Sequence, residues 1–248
     1  MDNFIRKISN ILSWIVVFFF SATLYFNYKG FVYENGQIVL RKQVAEAAEQ
    51  NGIATVLPKD IVINTSQQYA FGSEDAPLTM FEYSSLGCPH CADFHLDIFP
   101  DLVKEYVNKG MLRVVFVNFP LDKTSMKAAM LSKCMVYENY LPFIEAMFSA
   151  QRSWWLDTDE EHLFRYAAEH GLSYEEAQAC VKDKKLAQEI VADRQEAIDR
   201  LKVQGTPAFY ITGKDGNEII YGTASYRQIA KYLNSRLERL GYLSKDDE

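Results

Sequence analysis

The sequence predicts an α/β fold, a small sheet with parallel strands interrupted by a helical subdomain. Three observations carry that expectation. Two apolar runs, Leu78 to Tyr83 and Met111 to Phe119, flank a helical pattern from Pro89 to about Asn108. Strand, helix and strand packed so closely suggest a βαβ unit. A long helical stretch from Ser125 to Val203 follows, and a hairpin with one more helix ends the chain.

Each element has a local reason. The first strand comes after the turn residues Gly72-Ser73-Glu74-Asp75-Ala76-Pro77. In the helix, Phe94, Ile98, Leu102, Tyr106 and Val107 recur at helical spacing, and Gly110 stands just beyond the end. Met111 to Phe119 is a continuous β-branched and aromatic run, which suits a buried central strand. Internal boundaries of the helical stretch fall at Leu141-Pro142, at Thr158 with Glu161, at His170-Gly171 and at Ser173 with Glu176. The two Ser/Thr-x-x-Glu pairs are capping-box patterns. Pro207 to Thr212 and Glu218 to Tyr221 form a hairpin around Gly213-Lys214-Asp215-Gly216-Asn217. Ile229, Leu233, Leu237 and Leu240 give the last helix, Ser225 to about Leu240, its apolar stripe.

Composition narrows the class. A chain of 248 residues holds one large domain, or one domain and a tail. With 48% apolar and 14% aromatic residues it can bury a core, which excludes disorder as the dominant state. Its net charge of −7 argues against a nucleic-acid partner bound by phosphate neutralisation. Four cysteines are too few for a disulfide-stapled mini-scaffold, so their spacing carries the information.

Residues 1–29 read as an N-terminal transmembrane anchor or a signal segment. Arg6 and Lys7 precede an uncharged apolar segment from Ile8 to Tyr28, long enough for a helix to cross a bilayer. A cleaved signal peptide wants small residues at its cleavage site, and Phe20-Ser21-Ala22 places a bulky Phe there. Trp14, Tyr25 and Tyr28 suit the interfaces flanking an anchor. The positive-inside rule keeps Arg6 and Lys7 in the cytoplasm and puts everything after Lys29 across the membrane, in the bacterial periplasm. Residues 30–59 read as a connector containing a short helix from Gln37 to Gln50, and 60–243 as the working domain, with its helical insert at about 122–202.

The chemistry centres on Cys88-Pro89-His90-Cys91, where a strand ends and a helix begins. Cys88 at the helix N-terminus meets free backbone N–H groups and the positive end of the macrodipole, which favour a thiolate. Pro89 suits the first turn because its missing N–H costs nothing there. His90 can add a positive charge or a donor, and Cys91, one turn inside, is the resolving thiol. A more stable thiolate makes the disulfide form the stronger oxidant, by about 30 mV for each pKa unit lost. The rival reading is a copper or zinc module using Cys88, His90, Cys91 and His95, although no second ligand pair of the usual zinc spacing appears. The second element is Gly205-Thr206-Pro207, just before a strand. A cis bond there would leave the Thr206 N–H and C=O free to pair with an extended peptide near Cys88.

These features together make residues 60–240 resemble a DsbA-family thiol–disulfide oxidoreductase, a thioredoxin-like fold with an inserted α-helical subdomain. The resemblance rests on the turn from Gly72 to Pro77, the Phe81-Glu82-Tyr83 strand, Cys88-Pro89-His90-Cys91 and Gly205-Thr206-Pro207. It implies that Cys88 exchanges with substrate sulfur, that Cys91 resolves the mixed disulfide and that Pro207 is cis, with Thr206 and Pro207 binding substrate. It also implies that Glu82 is a buried acid assisting proton transfer around Cys91; the residue alone could equally be a surface glutamate on an edge strand. No cofactor is implied. The implied partners are cysteine-containing proteins and a membrane redox protein. Thr206 is similar to the isomerase-type members rather than to the strong oxidants, which carry Val, so oxidase and isomerase both stay open. Cys134 and Cys180 would pair in an oxidising compartment, and bacterial members with a second cysteine pair in the insert resemble this arrangement. His162 and His170 read as solvated helix residues. Trp154-Trp155 with Met130, Met147 and Phe148 read as core of the insert or, alternatively, as a hydrophobic groove.

Overall fold

The computed structural model describes residues 31–34, 37–40, 53–58, 61, 63, 68–156 and 161–244. The chain divides into two compact units, Met1–Gly52 and Ile53–Glu248. In the first, strands β1 (Phe31–Glu34) and β2 (Gln37–Leu40) pair antiparallel, Phe31 opposite Leu40 and Glu34 opposite Gln37. The helix expected from Gln37 is therefore corrected at its start. β-branched Ile38 and Val39 favour a strand, and the Asn35-Gly36 dipeptide between the pairing residues is the sequence that two-residue hairpins prefer. Residues 41–50 of that expected helix lie outside the described residues, as does the apolar segment 8–28. Among the described residues no helix is long and apolar enough to cross a membrane.

The second unit is built on a six-stranded sheet. Its strands are β3 (Thr55–Leu57), β4 (Tyr69–Phe71), β5 (Leu78–Ser84), β6 (Leu112–Asn118), β7 (Ala208–Gly213) and β8 (Gly216–Tyr221), in the order β3-β8-β7-β5-β6-β4. β5 and β6 run parallel, with Leu78 opposite Leu112 and Ser84 opposite Asn118, as the βαβ pattern requires. The other pairings are antiparallel. Strand alternation sorts the side chains into two cores. Leu78, Met80, Val114, Phe116, Phe209 and Ile211 face most of the helical insert and the last helix. Phe81, Tyr83, Val115, Val117, Tyr210 and Ile219 face the opposite way, against Ala197, Leu201 and Val203.

The helical segment after β5 contains α1 (Pro89–Asp93) and α2 (Phe99–Leu102), separated by a wide turn at Phe94–Ile98 and followed by another at Val103–Val107. Pro100 explains the first wide turn. It has no N–H for the Leu96 carbonyl and its ring would strike that group, so the helix opens by one residue and Phe99 N–H bonds Phe94 instead.

The insert runs through α3 (Lys123–Cys134), α4 (Tyr137–Ser149), α5 (Gln151–Trp155), α6 (Glu161–Glu169), α7 (Tyr174–Lys182) and α8 (Lys184–Leu201). The break expected at Leu141-Pro142 is absent, because Pro142 lies inside α4. Proline costs a helix interior about 3 kcal/mol. The same helix buries Tyr140, Phe143, Ile144, Met147 and Phe148, and each large apolar side chain returns about 1.5–3 kcal/mol. Packing wins, and the chain breaks instead at extended Met135. The Ser173–Glu176 capping box forms, whereas Thr158 lies outside the described residues. Cys134 and Cys180 form a disulfide. Trp154, Met130, Met147 and Phe148 are core, so the groove reading is corrected; Trp155 alone is exposed, its indole N–H donating to Asp122. His162 and His170 are half-buried rather than solvated, with the His170 ring against Tyr166 O and Phe143.

At the far end of the sheet, β7 and β8 join through Lys214-Asp215, with Gly213 opposite Gly216. The last helix, α9 (Tyr226–Arg239), starts from a Ser225–Gln228 capping box. It sends Arg236, fully buried, onto this turn, where Nε donates to Asp215 and Nη2 to the Gly216 carbonyl.

Candidate active site

β5 is followed by a tight turn at Ser85–Gly87 that delivers Cys88 to the start of α1. Cys88 N–H donates to Ser85 O, and the Cys88 carbonyl accepts from the N–H groups of Cys91 and Ala92. Cys88 is the N-cap residue, in extended conformation, and Pro89 occupies the first turn as its sequence position implies. Gly87 sits against the insert: a Cβ there would lie 3.1 Å from both Ser125 Cβ and the Trp155 indole nitrogen.

The loop before β7 comes to the same place. The Cys88 thiol donates to the Thr206 carbonyl at 3.3 Å across 118 residues of sequence. The Thr206–Pro207 peptide bond is cis. Several groups hold the Cys88 pKa down to about 5: the Cys91 thiol first, then the Thr206 hydroxyl and the backbone N–H groups of Cys91 and His90, against an opposing effect of burial. Cys91 is completely buried, and that burial, reinforced by the neighbouring Cys88, pushes its thiol well above the ordinary value. One sulfur is poised as the anion and the other holds its proton.

Of the two roles open to His90, a charge or a donor, the structure places the backbone donor beside the sulfur. The ring is largely exposed and lies 3.5 Å from Asp93, and it is the His90 backbone N–H that favours the thiolate. Glu82 is fully buried on β5, which corrects the surface alternative. Burial pushes its carboxyl up to about 8, with the Ser84 hydroxyl pulling weakly the other way. His95 is 2% exposed, stacked on Phe99 at 4.9 Å, and burial lowers its pKa to about 4. The four residues of the metal reading do not converge: among the described residues no group of three His, Cys, Asp or Glu side chains could hold a metal ion.

Gln151 escaped the sequence reading. Its buried Nε2 reaches from α5 to the carbonyls of Leu86 (2.7 Å) and Cys88 (3.0 Å), so the insert holds the active-site turn directly. Only the fold brings it there.

The family model described as thioredoxin matches residues 64–234. The crystal structure of Wolbachia pipientis alpha-DsbA1 superposes with a TM-score of 0.66 at 30% identity, covering 73% of this chain and 96% of that one. The chain belongs to the DsbA family of thiol–disulfide oxidoreductases. Another DsbA-type neighbour, oxidised BdbD of Bacillus subtilis, has a TM-score of 0.61 at 25% identity, covering 75% of this chain and 98% of that one. A Rickettsia bellii relative named as a protein-disulfide oxidoreductase is 28% identical over 144 residues, 57% of this chain and 56% of that protein. This DsbA-family chain thus spans a little over half the length of the rickettsial relatives it matches.

Proposed function

We propose that this chain is a disulfide-donating thiol–disulfide oxidoreductase of the bacterial envelope, acting on cysteine-containing proteins through Cys88 and Cys91. The observation that carries the reading is the asymmetry of the pair, a Cys88 held down to about 5 beside a buried Cys91 held up. Release of the client from the mixed disulfide expels Cys88, the sulfur more stable as a thiolate, and stabilising the reduced form makes the disulfide a stronger oxidant. The Cys134–Cys180 bond fits an oxidising compartment, as does the apolar segment 8–28, which would anchor the domain outside the cytoplasm.

In the cycle, a client thiolate attacks Cys88 of the Cys88–Cys91 disulfide. That bond breaks, Cys91 leaves with the electron pair and takes a proton, and the client is tethered to Cys88. A second client thiolate then attacks the client sulfur and expels Cys88 as the thiolate. The client gains a disulfide and the pair is reduced; a membrane redox protein takes the two electrons back. The client's extended backbone would lie along Thr206 beside Cys88.

Refolding of reduced ribonuclease tests the reading, with scrambled ribonuclease measuring isomerisation in parallel. We expect rapid oxidation by the disulfide form, weak isomerisation, no effect of chelator and complete loss in Cys88→Ser. Activity that survives that substitution, or that requires a metal, overturns it.

A further inference from the structure

The core beneath the cysteine pair holds polar atoms that nothing satisfies. Both carboxylate oxygens of Glu82 and the Ser84 hydroxyl are shielded from solvent, with no completed hydrogen bond among the described residues. Buried polar groups in native proteins are almost always paired, so such a cluster marks either a site for water or a working group. Glu82 and Ser84 stand two apart on β5 and therefore share a face of the sheet. On that face Ser84 joins Asn118 and Tyr140 in lining a small cavity of about 10 Å³, close to the room one water needs. Cys91 belongs to the same core as Leu78, Met80 and Phe116, the side chains around this face, and the Ser84 hydroxyl favours the charged forms of both Cys91 and Glu82.

We propose that Ser84 is the proton relay between the Cys91 sulfur and the Glu82 carboxyl, with one water in the adjoining cavity completing the hydrogen bonds of the hydroxyl. This rests on the reading of Cys88 and Cys91 as the redox pair. When the client attacks Cys88 and Cys91 departs, Ser84 donates its proton to the Cys91 sulfur and takes one from the Glu82 acid, which becomes the carboxylate. In the reverse direction Cys91 attacks, its proton passes to Ser84, and Ser84 passes one to the Glu82 carboxylate. No charge has to persist on the hydroxyl. A carboxyl held near 8 is mostly protonated at neutral pH and ready to supply the departing Cys91. The other titratable groups on this face do not compete. Burial keeps His95, from the wide turn after α1, neutral above about 4, and it raises Tyr140 on α4 well above its ordinary value. Cys88, on the side facing the client, is the remaining titrating neighbour.

The test separates the two cysteines in time. Reduced full-length protein is mixed with Ellman's reagent, and the coloured thiolate appears in two steps. The first is attack by Cys88, which leaves an aryl mixed disulfide; the second is its resolution by Cys91. In Ser84→Ala the first step should be unchanged and the second about tenfold slower at neutral pH, a modest part of what positioned acid–base catalysis supplies. Its solvent isotope effect should fall, and Ser84→Thr should restore both. A second step in Ser84→Ala with the wild-type rate and pH profile overturns the relay, as does equal slowing of both steps. The underlying reading fails separately, if Cys91→Ser still releases two equivalents or Cys88→Ser still shows the first step.

Discussion

Cys88 Sγ lies 3.3 Å from the carbonyl oxygen of Thr206, so the turn after β5 and the loop before β7, 118 residues apart in sequence, meet at one sulfur. The Thr206 hydroxyl, buried and with no completed hydrogen bond among the described residues, also favours the thiolate, but the Cys91 thiol contributes more. Thiolate absorbance of the reduced protein should therefore titrate near pH 5. Cys91→Ala should raise that midpoint by more than Thr206→Val does. The sign for stability follows. An unfolded thiol binds its proton up to about pH 8.5, while the folded Cys88 has already released it. The reduced form thus gains stability that is fully present above the unfolded value and is lost as pH falls through about 5. Glu82, held up to about 8, contributes the opposite slope over the same range, so the difference in unfolding free energy between the reduced protein and Cys88→Ser from pH 4 to 9 measures the Cys88 contribution, and a pH-independent difference contradicts it.

What the sequence disclosed followed element length and local chemistry. β6 was legible as a continuous apolar run, the helical segment from Pro89 because its apolar residues kept helical spacing, and the cysteine motif because its residues are adjacent. β3 and β4, three residues each, are too short to carry a period, and their pairing with β8 and β6 is purely tertiary. Glu82 could have been placed inside from alternation alone, since Leu78, Met80 and Glu82 share a face and its neighbours are core. Gln151 and Ser84 gave no such signal. A lone glutamine on a helix and a serine at a strand end become meaningful only when the fold sets them against Cys88 and Cys91. For His90 the sequence offered a charge or a donor, and only the fold shows that the backbone N–H favours the thiolate while the ring faces solvent.

Gln151→Ala should loosen the active-site turn. It removes the side-chain donor from the Leu86 and Cys88 carbonyls; Cys88 O keeps its bonds from Cys91 and Ala92, so Leu86 O bears most of the loss. An unpaired buried carbonyl costs about 1–3 kcal/mol. Urea unfolding should show that loss in both redox states, while Gln151→Glu, which places an acceptor against two carbonyls, should be worse.

Removing the second disulfide should cost stability without touching the chemistry. Cys134 and Cys180 close a loop 46 residues apart in sequence, for which chain entropy gives about 4 kcal/mol. Cys134→Ala with Cys180→Ala should lower stability by up to that amount and leave the first step with Ellman's reagent unchanged. A large loss of Cys88 reactivity would show instead that the insert transmits the bond's effect to the active-site turn.

Arg236 gives the acid limb of stability. Its buried guanidinium pairs with Asp215 and lies 3.6 Å from Glu218. Burial pushes the Asp215 carboxyl up, but the Arg236 hydrogen bonds and the charges of Arg236 and Arg239 outweigh it and hold the group below its ordinary value. That contribution is complete above the unfolded carboxylate range of about 3.9 and disappears as pH falls through the lower folded value. Arg236→Met leaves Asp215 only its contact with the half-exposed Arg239 and, through the lost charged hydrogen bonds, should cost about 1.5–3 kcal/mol at neutral pH. Adding Asp215→Asn should recover part of that loss, because the half-buried carboxylate then has no charge left for Arg239 alone to balance. The single variant should also lose the acid dependence that Asp215 contributes, so its unfolding midpoint should change less than wild type between pH 5 and 3; an unchanged slope would place the acid sensitivity elsewhere.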